Sequence, residues 1–102
     1  MMFECSNPVF GRTLHHQNKD LTPGGSSGGE GALLASFGSK IGLGTDVGGS
    51  VRIPCHFSGL YGLKPSTNRL PDDGHTGMFL TFIFVLFGIH LLMLFNVSKS
   101  SK

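Results

Sequence analysis

The chain reads as an α/β fold on three observations. Between Gly28 and Lys64, small-residue helical stretches alternate with short strand-like ones. Twelve of its sixteen glycines fall between Gly24 and Gly62, so glycine is used locally, where backbone must turn sharply or approach closely. From Phe79 to Val97, fifteen of nineteen residues are apolar and none is charged, which predicts a C-terminal hydrophobic helix.

The elements follow in order. Phe3 to Pro23 is polar and punctuated by Asn7-Pro8 and Gly11, which predicts a surface path leading to the first glycine run. Gly28 to Phe37 suits a short, closely packed helix, with Ser27 and Glu30 spaced as a capping box and Gly38 as its stop. Ile41-Gly42-Leu43-Gly44 predicts a short buried strand. A tight turn at Gly48-Gly49 follows, and Ser50 is expected to open a short helix that breaks near Pro54. Leu60 to Lys64 predicts a second strand. Strand, loop and helix start in this order would aim several N–H groups at one point.

After Pro71 the character changes. Asp72-Asp73-Gly74-His75 reads as a polar hinge. The expected division is therefore 1–71 as a partial catalytic-type domain, 72–78 as a hinge, 79–97 as a hydrophobic segment and 98–102 as a polar tail. Nineteen helical residues would span about 28 Å, close to the hydrocarbon thickness of a bilayer. Lys99 and Lys102 flank the run. Three readings compete for it: a membrane anchor, a buried core helix, or sequence foreign to the part before it.

Composition excludes several function classes. The net charge is +2 and the basic residues are scattered, so no nucleic-acid footprint is expected. Cys5 and Cys55, fifty positions apart, specify no disulfide framework, and Cys55-His56 and His15-His16 lack the spaced pairs of a zinc site. No metal and no cofactor is expected. Met1 to Asn7 has neither the basic start nor the apolar run of a cleavable signal peptide.

The chemistry lies in two serines 24 positions apart, each set in glycine: Pro23-Gly24-Gly25-Ser26-Ser27-Gly28-Gly29-Glu30 and Gly44-Thr45-Asp46-Val47-Gly48-Gly49-Ser50-Val51-Arg52. A hydroxyl after such a run is a candidate nucleophile beside a cradle of backbone N–H groups. That is serine-hydrolase chemistry. Gly24-x-Ser26-x-Gly28 also fits the nucleophile elbow of α/β-hydrolases, but that motif needs a buried strand before it, and His15 to Pro23 supplies none. A phosphate loop is disfavoured because no Lys-Ser or Lys-Thr follows the glycines.

Together the two runs resemble the amidase signature family. Its pattern of a GGSSGG loop, a small-residue helix, a strand, GTDxGGSxRxP and GLKP appears here in order, ending at Gly62-Leu63-Lys64-Pro65. The resemblance covers about Glu4 to Pro71. Gly29-Glu30-Gly31-Ala32-Leu33, Asn68-Arg69-Leu70 and the lead-in from Glu4 to Gly11 look most like its fatty-acid amide hydrolase branch. The family's fold, a mixed twisted sheet covered by helices, needs several hundred residues, so this chain is expected to be a fragment of it.

What the resemblance implies is a Ser-Ser-Lys mechanism. Ser50 matches the nucleophile that forms the acyl-enzyme, and Ser26 the bridging serine that relays its proton to the leaving amine. Backbone N–H groups of Val47, Gly48, Gly49 and Ser50 match the oxyanion hole. Ser27, Asp46 and Arg52 match residues that hold the two loops together. The family's base is a lysine upstream of the GGSSGG loop. Lys19, Lys40 and Lys64 do not match it, so the chain alone is expected to be inactive. The implied partner is a lipid amide substrate. The parent protein is expected at an endomembrane surface, and this chain could meet a membrane through Phe79–Val97. The alternatives are a non-catalytic membrane-bound variant, or a piece of an amidase for small or aminoacyl amides.

Overall fold

A computed structural model describes residues 3–66, Arg69 and the backbone of residues 83–87. Along the surface path that the turn residues predict, the chain forms a hairpin. Strand β1 (Ser6–Asn7) pairs antiparallel with β2 (Gly11–Arg12). Asn7 makes the turn: its Oδ1 accepts the N–H groups of Val9 at 3.0 Å and Phe10 at 2.8 Å, an Asx turn carried by a side chain that tolerates such local bonding. Two-residue strands are too short for any periodicity to reveal. Val9 and Phe10 stand exposed at the tip.

Helix α1 (Gly28–Ala35) forms where expected but ends two residues early. Its stop is Phe37, in the left-handed region at φ 62°, and not Gly38. Phe37 N–H donates to Leu34 O at 3.0 Å and Gly38 N–H to Leu33 O at 2.9 Å, the paired bonds of a Schellman ending. The expected capping box is absent. Ser27 precedes the helix but makes no capping bond with its side chain, because that hydroxyl is engaged by Thr45.

Strand β3 (Ile41–Thr45) leads through the 46–51 turn into α2 (Arg52–Ser58), and then to β4 (Tyr61–Leu63). Ser50 lies in the turn and Val51 caps the helix, so Ser50 stands just outside it. Pro54 does not break α2. It is the third helical residue, in the first turn, where a backbone N–H has no intrahelical acceptor to lose. Gly59, at φ 67°, ends the helix, and Leu60 N–H returns to Cys55 O at 2.8 Å.

Strand β5 (Ile83–Phe87) corrects the expectation of a hydrophobic helix over 79–97. It lies between β3 and β4, in the order β3-β5-β4, and pairs antiparallel with both. Its backbone thereby serves two ladders at once, which a helix could not do, and Ile-Phe-Val-Leu-Phe has the branched and aromatic composition of strands. The rest of 79–97, the hinge at 72–78, the tail at 98–102 and the Asn68 and Leu70 positions lie outside the described residues. Among the described residues, no helix is long and apolar enough to cross a membrane.

Both helices pack on one face of this sheet. Leu34, Ala35, Val51, Cys55 and Leu60 form the buried core, with Pro23 and Pro54 beside them. The glycines of β3 face the helices: a Cβ on Gly44 would sit 2.6 Å from Ser27 Oγ and 2.8 Å from Val51 Cγ2. The pleat then turns the large residues outward. Ile41 and Leu43, expected to be buried, are 53% and 65% exposed, and Tyr61 and Leu63 are similarly open. Among the described residues, helices cover only one face of the sheet, where the resemblance implied cover more generally.

Candidate active site

Three pieces of backbone meet at one corner: the 23–27 run before α1, the end of β3, and the 46–51 turn. Gly25 makes the meeting possible. Its φ is +69°, and a Cβ there would lie 2.9 Å from Ser50 O and 3.1 Å from Ser50 Cα. Only glycine satisfies both the left-handed conformation and the close approach. Ser27 N–H donates to Ser50 O at 3.2 Å, so the first glycine-serine run is hydrogen-bonded to the second.

Ser27 completes the splice. Its Oγ accepts Thr45 N–H at 3.1 Å and donates to Thr45 O at 3.2 Å. One hydroxyl thus does for the end of β3 what a neighbouring strand would do. On the far side of the same run, Gly25 N–H donates to Phe3 O at 3.0 Å.

Asp46 organises the turn. It is fully buried, and its carboxylate accepts three backbone N–H groups: Gly49 at 2.5 Å, Val51 at 3.2 Å and Arg52 at 3.1 Å. Arg52 adds a fork, Nε to Oδ2 and Nη2 to Oδ1, both at 2.9 Å. The Val51 and Arg52 amides are among the donors that a helix start leaves without intrahelical partners, so Asp46 also serves as the cap of α2. Burial alone pushes the Asp46 carboxyl up. The bonds from the Arg52 guanidinium and from the Arg52, Gly49 and Val51 amides outweigh it and hold the group well below the usual carboxylate range. Asp46 in turn raises the pKa of Arg52.

The expected site residues are therefore neighbours, with two departures in detail. Gly49 N–H is committed to Asp46, whereas the N–H groups of Val47, Gly48 and Ser50 make no hydrogen bond among the described residues. Ser26 is exposed and Ser50 half-buried, and neither hydroxyl is hydrogen-bonded to the other or to another described residue. The structure joins the two loops through backbone and through Ser27, not through the two candidate reacting hydroxyls.

Two contributors escaped the sequence reading. Thr45 holds Ser27 through its main chain, and main-chain partners carry no residue signature. Cys55 sits beneath the corner, buried, with its thiol pushed up to about 11 by burial and then by the Asp46 charge, so it is a packing residue at neutral pH. Among the described residues no three His, Cys, Asp or Glu side chains gather as metal ligands would.

The fold and this corner define the class: an α/β protein with two glycine-set serines brought together beside a helix start. Comparison with known proteins goes further. The family model described as Amidase matches residues 1–84, past Pro71, where the motif reading had ended the resemblance. The chain belongs to the Amidase family and is by family classed with the amide hydrolases. It is 58% identical over 74 residues to fatty acid amide hydrolase 1 of Caenorhabditis elegans, covering 72% of this chain and 13% of that protein. It is 60% identical over 74 residues to amidase 2 of Gibberella moniliformis, covering 72% and 14%. It is 53% identical over 76 residues to an acetamidase of Aspergillus oryzae, covering 74% and 14%. The chain thus spans about one-seventh of the length of the relatives it matches.

Proposed function

We propose that this chain is part of a serine amidase that cleaves the carbon–nitrogen bond of linear amides. Ser50 Oγ attacks the amide carbonyl and forms an acyl-enzyme. Ser26 takes the proton from Ser50 and hands it to the departing nitrogen, which is a poor leaving group until protonated. The oxyanion is met by N–H groups of the 47–50 turn, those of Val47, Gly48 and Ser50 being unengaged and that of Gly49 shared with Asp46. Ser27, Asp46 and Arg52 hold the turn in shape.

The observation that carries this reading is the contact of the two serine runs: Ser27 N–H on Ser50 O, with Gly25 laid against the Ser50 backbone. It sets Ser26 and Ser50 on adjoining segments with open N–H groups beside them. The base in this mechanism is a lysine, and no lysine here matches the family position, so the 102 residues alone are inactive. A fluorophosphonate probe tests both parts. A longer form that includes an upstream lysine-bearing segment is labelled at Ser50 and loses labelling in Ser50→Ala, while the 102-residue chain is not labelled. Labelling that persists in Ser50→Ala overturns the assignment.

The proposed substrates are fatty-acid amides met at a membrane surface, supported by the likeness to the worm fatty acid amide hydrolase. A second reading, small amides, is supported by comparable identity to amidase 2 and to the acetamidase. Hydrolysis of a long-chain against a two-carbon amide by the longer form separates them. A preference for the short amide rejects the lipid reading.

A further inference from the structure

One side chain of α2 lies over both glycine-serine runs, and the proposed chemistry gives it no role. Ile53 is the second residue of α2, one helical turn beyond Gly49, and its N–H donates to Gly49 O at 2.7 Å. A helical side chain leans back over the preceding turn. Ile53 accordingly rests on Gly49: a Cβ there would sit 2.9 Å from Ile53 Cδ1 and 3.1 Å from its Cγ1. Its other branch rests on Gly24, where a Cβ would lie 2.7 Å from Ile53 Cγ2. Branching at Cβ lets one residue reach two segments at once.

We propose that Ile53 is a positioning residue for the 47–50 turn, fixing through Gly49 the direction of a backbone donor that meets the oxyanion. The inference rests on the amidase reading for its catalytic consequence. Gly49 is the natural point of control. Its φ is +129°, a region that favours glycine, so its own backbone preference does little to hold it. Three contacts hold it instead. Asp46 Oδ1 accepts its N–H, Ile53 N–H donates to its carbonyl, and the Ile53 side chain covers its Cα. Rotation about the ψ of Gly49 turns the next peptide plane, which carries the Ser50 N–H. Whatever fixes Gly49 therefore aims that donor.

The two contacts of Ile53 differ in what backs them. On Gly24 it shares the work with Phe57, whose Cδ2 and Cε2 would lie 2.9 and 3.0 Å from the same Cβ. On Gly49 nothing shares it. Chain neighbours aside, no described residue but Ile53 comes within 4 Å of a Cβ there. Truncating Ile53 leaves every hydrogen-bonding group in place and removes only the surface on which Gly49 rests.

Two measurements test this. The first does not depend on amide chemistry: hydrogen exchange at the Gly49 amide in the full 102-residue chain. Protection falls by about ten-fold or more in Ile53→Ala, because the local opening loses its packing. It falls little in Ile53→Leu, which keeps methyl groups to set on Gly49, and little in Phe57→Ala, which loosens Gly24 alone. The second is amide hydrolysis by the longer form. In Ile53→Ala kcat falls by about ten-fold, less than the roughly 10² to 10³ that follows outright loss of an oxyanion donor. KM stays within about two-fold, because the interaction lost is one made in the transition state. Ile53→Leu returns kcat to within about three-fold of wild type, as a volume-conserving swap should.

Unchanged Gly49 protection in Ile53→Ala overturns the proposal. So does an equal fall in Phe57→Ala, which would mark general loosening, or a rise in KM at unchanged kcat, which would make Ile53 a substrate contact. Ser50→Ala, assayed alongside, keeps the two readings apart. Hydrolysis that survives it removes the amidase mechanism and with it the catalytic consequence, whereas exchange at Gly49 still judges the hold of Ile53 on the turn. Should Ile53→Ala not fold, Ile53→Val, which removes Cδ1 and keeps Cγ2, carries both measurements, with smaller changes in the same direction.

Discussion

Two turns in this molecule are built by the same device and differ in what surrounds it. In the hairpin, Asn7 Oδ1 gathers the N–H groups of Val9 and Phe10 at an exposed tip. In the 46–51 turn, Asp46 gathers those of Gly49, Val51 and Arg52 in full burial, with the Arg52 fork closing over it. The count of backbone donors is similar. The consequences are not, because water replaces a lost bond at the hairpin and cannot do so beneath the sheet corner. Charge follows the same division: a carboxylate is kept where five donors meet it, two of them from the Arg52 cation, and a neutral amide serves where solvent does the rest.

The comparison is most severely tested by deleting the acceptors. Asp46→Ala leaves the Gly49, Val51 and Arg52 N–H groups without their acceptor near α2 and is expected to cost about 3 kcal/mol or more. Urea titration of the full chain against wild type measures it. A loss below about 1 kcal/mol would mean that the turn is held by something else.

Acid gives a subtler version of the same deletion. The Asp46 carboxyl is held below its ordinary value of 3.8, so the unfolded chain binds the proton first. Its contribution is complete above that value and is lost as pH falls through and below it. Stability measured against pH should therefore show a falling limb below about pH 4 that is absent in Asp46→Asn. Asn7→Ala should have the smallest effect, within about 0.5 kcal/mol, as expected of an exposed turn. A larger loss would show that the hairpin contributes to the fold beyond its own tip.

How much of this was legible depended on where each bond partner lies. The grouping of Ser26, Ser27, Asp46, Ser50 and Arg52 was readable, because the motif pattern puts chemistry-bearing side chains at fixed spacing within two short runs. The orientation of β3 was not. Ile41 and Leu43 look like core residues until the helices are known to press on the glycine face. Nor could the Ser27–Glu30 spacing reveal that the Ser27 hydroxyl is taken by the backbone of Thr45, eighteen positions on. The apolar run after Pro71 shows the same limit: composition alone does not separate a hydrophobic helix from a strand between two others, and residues 83–87 take the second form.

By itself, then, the sequence determined the family, the α/β class and the residues that gather at the corner. Those follow from local spacing and from glycine, whose missing Cβ acts at its own position. Only the tertiary structure decided which face of the sheet is covered, which hydroxyl is spent on holding the loops together, and that the His15 ring meets the Phe57 carbonyl of α2 at 3.0 Å. Each of these depends on a partner distant in the chain, and long-range packing is not encoded in any short window of residues.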